Sequence, residues 1–105
     1  MKFAIRPSAR EDILRQYRYY LNEADEELVA ERFLKAVQTA IRQVCRDPGI
    51  GAPKMVSNPK LAGLRSWPVK GFAEIRAYYL VSDDVVRVVR VLHGKRDVLP
   101  MLEDE

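Results

Sequence analysis

The chain of 105 residues contains one cysteine, one histidine and one tryptophan. A lone thiol, Cys45, cannot close an internal disulfide, so the fold has to stand on packing, which suits a reducing compartment. With no second cysteine and no histidine beside it, Cys45 reads as structural rather than catalytic or metal-binding. No apolar run approaches the ~20 residues needed to cross a bilayer. The opening MKFAIRP lacks the long apolar segment of a secretory leader. A cytoplasmic location without membrane contact is therefore expected. Missing too are a Gly-rich phosphate loop, a Ser or Cys nucleophile motif and a histidine pair for a metal, so neither cofactor nor metal is expected.

What is present is ordinary globular composition, 48% hydrophobic and 31% charged, at a length that fits one domain over residues 1–105. Net charge is +3 and the sequence pI about 9.2. The distribution is uneven. Lys54, Lys60, Arg65, Lys70, Arg76, Arg87, Arg90, Lys95 and Arg96 face only Glu74, Asp83, Asp84 and Asp97 in the second half, while acids gather at residues 23–31 and at the C-terminus. An acidic partner, nucleic acid or protein, fits such a surface. A merely solvated basic face fits it equally.

Residues 2–6 alternate weakly and read as a short strand closed by Pro7. Ser8 and Glu11 have the spacing of a capping box that opens a helix. Ile13, Tyr17, Tyr20 and Leu21 form its apolar stripe. A second helix is expected over residues 26–46, with Val29, Phe33, Ala36, Val37, Ala40, Ile41 and Val44 on one face and Asp47-Pro48-Gly49 as its stop. So short a joint makes the pair an antiparallel hairpin. Residues 49–60 carry Gly and Pro without usable periodicity and read as a surface loop.

Residues 64–97 hold three runs rich in Val, Ile, Tyr and Trp, separated by Lys70-Gly71 and Ser82-Asp83-Asp84, the pattern of an antiparallel meander. On the middle run Ile75, Ala77, Tyr79 and Val81 should share the helix-covered face, with Glu74, Arg76 and Tyr78 opposite. The last run, apolar on both faces apart from Arg87 and Arg90, should be central. A short helical turn is expected over 98–102. The order is β-α-α-β-β-β: an α+β fold with an N-terminal strand and a helical hairpin packed on a mostly antiparallel four-stranded sheet.

His93 ends the last run beside Gly94-Lys95-Arg96-Asp97. A single histidine can act as a general base, and with Arg65, Arg76, Lys95 and Arg96 to hold a phosphate it can cleave RNA without a metal. It can also simply close the strand end by bonding a backbone carbonyl or Asp97. Trp67, between Ser66 and Pro68, is either the edge of the core or an exposed anchor for a partner.

The order of elements, the string LRSWPVKGF (residues 64–72), the string RVLHGKRD (residues 90–97) and the opening Ser8-Ala9-x-x-Asp12-Ile13 resemble the ParE branch of the RelE/ParE toxin superfamily of type II toxin–antitoxin systems. The resemblance implies a toxin that inhibits DNA gyrase by protein contact, without catalysis. It further implies a ParD-like antitoxin that wraps an amphipathic segment around the toxin's helices and sheet in a hetero-oligomer. RelE-like members instead cut mRNA on the ribosome. Their lysine pair falls at Arg65 and Trp67 here, and their catalytic tyrosine at Leu102. Arg76 and Arg96 do match arginines of that site. Were the chain a metal-independent nuclease, His93, Arg76, Arg96 and Arg65 would carry the reaction. A non-toxic homologue kept as a binding module is the third implied reading. Arg65, Trp67, Arg76, Arg90, His93, Lys95 and Arg96 are the candidate partner-binding residues, with direct nucleic-acid binding left open.

Overall fold

The structure, a computed structural model, describes residues 1–22, 27–72, 74–94 and 102. Apolar side chains every three or four residues give α2 (Glu27–Arg46) one buried stripe: Ala30, Phe33, Val37, Ala40, Ile41 and Val44. Glu27 begins this helix and Arg46 ends it, each favoured by the helix dipole. α1 (Pro7–Asn22) starts one residue before the expected Ser8. Proline is suited to that first position, where its missing N–H would have had no helical partner. Ser8 thus lies inside the first turn, and its hydroxyl donates to the Val89 carbonyl at 3.3 Å.

The sheet has five strands rather than four, in the order β1-β5-β4-β3-β2. They are β1 (Lys2–Ile5), β2 (Ala52–Pro53), β3 (Arg65–Pro68), β4 (Ile75–Ser82) and β5 (Val85–His93). The unexpected strand, β2, lies in the segment read as a loop. Two residues are too few to show a period, and Pro53 is tolerated because β2 is an edge. Pairing of Ala52 with Ser66 and the Lys54 N–H bonded to the Leu64 carbonyl at 2.8 Å hold it in place. β1 runs parallel to β5 and the other pairs are antiparallel. β5 therefore lies inside the sheet, as its two apolar faces require. Asp83 and Asp84, at φ of 52° and 59°, make the two-residue turn from β4 to β5. Positive φ at both positions matches the right-handed strand twist, and Asp tolerates it better than most residues.

Along that hairpin the register slips once. Tyr79 pairs with Val88 but Tyr78 with Arg90, so Val89 is an extra residue, a β-bulge. Side chains alternate faces along a strand, and one extra residue inverts the alternation beyond it. Val86 and Val88 before the bulge, and Val91 after it, accordingly share the helix-covered side. Ala9, Phe33, Val37, Ile41, Val69, Ile75, Ala77, Val88 and Val91 form the main core there. Tyr79, expected on this face, packs with Val44 and Val86. The opposite face is covered as well. Leu61, Leu64, Tyr78, Val89, Leu92 and Leu102 make a second core under a 3₁₀ turn (Pro59–Leu61). Of the helical turn expected over 98–102, only Leu102 is among the described residues. It is helical and wholly buried. Each such large apolar side chain contributes about 1.5–3 kcal/mol by leaving water.

β1 stops at Ile5, so the outer edge of β5 beyond Val88 lacks a strand, and α1 takes its place. Asp12, buried on α1, accepts from Arg90 Nε at 2.7 Å, from Arg90 Nη2 at 2.8 Å and from the Val91 backbone N–H at 3.0 Å. A bidentate carboxylate–guanidinium pair is the strongest polar contact side chains make, and here it also satisfies a sheet edge.

Candidate interaction surface

Three of the arginines singled out in the sequence, Arg65, Arg76 and Arg90, serve the fold. Arg65 shares a sheet face with Tyr79, its partner across β3 and β4. Its guanidinium donates to the carbonyls of Gly51 at 2.7 Å and Gly49 at 3.3 Å, clamping the chain that leaves α2. Tyr79 works on the same segment, donating to the Pro48 carbonyl at 2.8 Å and accepting from the Gly51 N–H at 2.9 Å. Burial pushes its phenol above the ordinary 10.0, against the lowering by the Gly51 hydrogen bond and by Arg65. Arg76 donates through Nε to the Ser66 hydroxyl at 2.9 Å and through Nη2 to the Ser66 carbonyl at 3.3 Å. Arg90 is taken by Asp12. Trp67 is half-buried against the Val44, Tyr79 and Val86 cluster, and its indole N–H donates to Gln43 at 2.9 Å, so it edges the core. Lys95 and Arg96 lie outside the described residues.

His93 is placed differently. It pairs with Ile75 across β4 and β5, so both point to the helix-covered face, whereas Arg76 pairs with Leu92 and lies on the other. The bulge causes the separation. If the Ser82–Val85 pairing continued unbroken, Ile75 would face Leu92, and His93 would fall on the side of Arg76. His93 instead lines a cleft of about 520 Å³ with Gln16, Tyr19 and Tyr20 at the end of α1 and Phe72, Glu74 and Ile75 at the turn into β4. Its Nδ1 is shielded from solvent and has no hydrogen-bond partner among the described residues. An unpaired buried polar atom costs about 1–3 kcal/mol, so it is a conspicuous feature of the cleft. The floor is aromatic. Tyr20 lies 5.6 Å from both Phe33 and Phe72, centroid to centroid, while Phe33 and Phe72 meet edge-on at 5.3 Å. Burial raises the Tyr20 phenol, partly offset by its hydrogen bond to Gln16.

A second groove, about 420 Å³, runs between β1, α1 and α2. Phe3, Ile5, Ile13, Leu34, Val37 and Ile41 line it, with Gln38 and Arg42 at its rim. Phe3, in its lining, is 53% exposed. Exposed apolar residues beside a concave apolar strip are the mark of a docking surface.

Sequence reasoning missed Asp12, Gly51 and the Tyr79 hydroxyl. One signal was available: Arg90 in an otherwise apolar central strand demanded a buried counter-charge. Nothing in the sequence marked which acid would supply it. Among the described residues no cluster of three or more His, Cys, Asp or Glu is arranged to hold a metal, and no helix is long and apolar enough to cross a membrane.

Fold and surface together define a small two-layer α+β domain in which Arg65, Arg76 and Arg90 are engaged within the chain and whose open features include an aromatic cleft and an apolar groove. The same fold occurs in bacterial toxin chains. One, from the chromosomal ParDE toxin–antitoxin system of P. aeruginosa, is 21% identical, with a TM-score of 0.62 over 90% of this chain and 97% of that one. Another belongs to the heterotetrameric YoeB–YefM toxin–antitoxin complex of Staphylococcus aureus (22% identity, TM-score 0.53, 86% and 92% covered). A third is the YoeB/ParE toxin of Agrobacterium tumefaciens (22%, 0.53, 89% and 98%). Among curated proteins none matches. The family model for the ParE toxin of the type II toxin–antitoxin system parDE matches residues 3–98, and the chain belongs to that family.

Proposed function

We propose that this toxin acts on DNA gyrase by protein contact, not by cutting RNA, and that an antitoxin neutralises it by docking on the groove between β1, α1 and α2. The observation that carries the first part is the opposed placement of His93 and Arg76. Cleavage of RNA at a 2′-hydroxyl needs a base and phosphate-holding cations on one side of one substrate. Here the only histidine faces the helices, Arg76 faces the second core, and Arg65 grips the Gly49–Gly51 backbone. The position that corresponds to the superfamily's tyrosine, Leu102, is a buried apolar side chain. The apolar groove supports the second part. An amphipathic antitoxin segment can lay its apolar face along Phe3, Ile13 and Leu34 and place an acid against Arg42.

Induced expression tests the target. A gyrase poison traps cleaved DNA, triggers the DNA-damage response and makes cells filament while protein synthesis continues. His93→Ala should leave most of this toxicity intact. Arrest of translation within minutes with cuts in transcripts at the ribosomal A site, abolished in His93→Ala with the fold intact, would overturn the reading. Loss of antitoxin binding in Leu34→Glu, with an unchanged melting temperature, tests the groove.

A further inference from the structure

α2 carries its buried stripe between two open flanks. The apolar groove runs along one, past Leu34, Gln38 and Arg42, and a smaller cavity of about 340 Å³ lies along the other. Val29, Arg32 and Ala36, on one side of α2, line that cavity together with Lys70, Gly71 and Phe72 at the turn from β3 to β4. The turn is pinned. The Phe72 N–H donates to the Val69 carbonyl and the Val69 N–H to the Ile75 carbonyl, both at 3.0 Å, and Gly71 takes a φ of 88° that other residues rarely adopt. Phe72 is fixed in turn by its edge-on contact with Phe33. Arg32 and Lys70 therefore reach one cavity from two rigid supports. Among the described residues neither has a hydrogen bond or an ion pair, unlike Arg65, Arg76 and Arg90. No acid is among the described residues of the lining, and Glu27 and Glu31, the acids of α2, lie about half a turn round the helix from it. Two cations without a counter-charge, on a protein of net charge +3, suit an anion. The apolar part of the lining, Val29, Ala36 and Phe72, says which kind. A nucleic-acid backbone is charged at every step and brings nothing apolar to that surface, and two cations neutralise too few phosphates to hold it. A peptide offers both parts: a carboxylate for the guanidinium fork and the ammonium, and an apolar side chain next to it.

We propose that this cavity docks a protein segment carrying a glutamate or aspartate beside an apolar side chain, the carboxylate held by Arg32 and Lys70 and the apolar group set against Val29, Ala36 and Phe72. The proposal fixes the chemistry of the docked segment, whichever protein supplies it. It stands apart from the gyrase target and from the groove on the other flank of α2, so the outcomes of those experiments do not affect it.

The test is an NMR titration of the full-length toxin with N-acetyl-leucyl-glutamyl-leucine methylamide as the probe. Expected are saturable shifts of the Lys70 and Gly71 amide signals and of the Ala36 methyl. The analogue with glutamine in place of glutamate should bind about two- to thirtyfold more weakly, the loss of two exposed ion pairs. Arg32 and Lys70 are exposed, so Arg32→Gln and Lys70→Gln leave the core intact, and each should weaken the probe by about 1.4- to fivefold at an unchanged melting temperature. Ala36→Leu fills the cavity while keeping both cations and should abolish the shifts. Equal binding of the glutamine analogue, shifts confined to the groove at Leu34, or probe binding that survives Ala36→Leu overturns the proposal. An oligothymidylate that displaces the probe and binds more tightly than it would make the cavity a nucleic-acid contact, and overturns the proposal as well.

Discussion

Removing the Asp12 carboxylate is the sharpest perturbation of this fold, because three hydrogen bonds converge on one side chain. The Asp12 side chain is 2% exposed and that of Arg90 13%. Asp12→Ala leaves a nearly buried guanidinium without its counter-charge and the Val91 N–H without an acceptor. Breaking a buried pair in this way costs about 3–5 kcal/mol. A domain of this size holds about 5–15 kcal/mol in all. At about 4–8 °C per kcal/mol the melting temperature should fall by at least ~12 °C. Arg15, at 3.7 Å from Asp12 and 69% exposed, cannot compensate, since exposed pairs are worth about 0–1 kcal/mol. Urea denaturation of four forms separates the parts. Asp12→Asn keeps an acceptor for Val91 and should lie between wild type and Asp12→Ala. Asp12→Leu with Arg90→Met removes both charges and leaves the Val91 N–H unpaired, a cost of about 1–3 kcal/mol. The double variant should therefore be more stable than Asp12→Ala. A loss below about 1 kcal/mol in Asp12→Ala, or a double variant that is the least stable of the four, would refute the reasoning.

Two further outcomes follow from the clamp beside β3. A Cβ on Gly51 would stand 2.5 Å from the Tyr79 hydroxyl and 2.9 Å from the Ser66 carbonyl, so Gly51→Ala should destabilise by about 1–3 kcal/mol, read as a shifted denaturation midpoint at unchanged slope. Tyr78 and Tyr79 have phenols raised above 10.0 in the folded chain, burial being the larger cause in both. Their neutral forms are favoured by folding, so this contribution is full below the unfolded pKa and is lost as pH climbs through the folded values. Denaturation midpoints should hold up to about pH 10 and fall above it, and Tyr79→Phe should flatten that fall while lowering stability at neutral pH by about 1–3 kcal/mol.

Much of the fold was legible because it rests on local periods. The stripe through Phe33, Val37, Ala40, Ile41 and Val44 announces α2, and the Asp83-Asp84 turn with its flanking valines announces the last hairpin. What escaped depends on residues far apart in sequence. The parallel pairing of Phe3 with Val86 is one instance, and the Asp12–Arg90 pair another. β2 escaped because a two-residue bridge has no pattern of its own. The surface was legible in composition and not in use. The sequence shows that Arg65, Arg76 and Arg90 are present, but only tertiary contacts reveal that each already has a partner.

The extra residue at Val89 bears on how any motif at the end of a strand is compared between proteins. A strand writes its side chains alternately on two pages, and the RVLHG string says nothing about which page its histidine falls on. That is fixed by whether the number of residues from the turn is odd or even once bulges are counted. Pairing kept unbroken through Val89 would change no letter of RVLHG, yet by register alone it would carry His93 across the sheet to the side of Arg76, whereas the bulge leaves it opposite Ile75. Two chains aligned letter for letter through this strand can thus hold the same histidine against opposite partners. A single residue added here reverses the orientation where the pairing stays unbroken and leaves it as it was where a bulge takes it up.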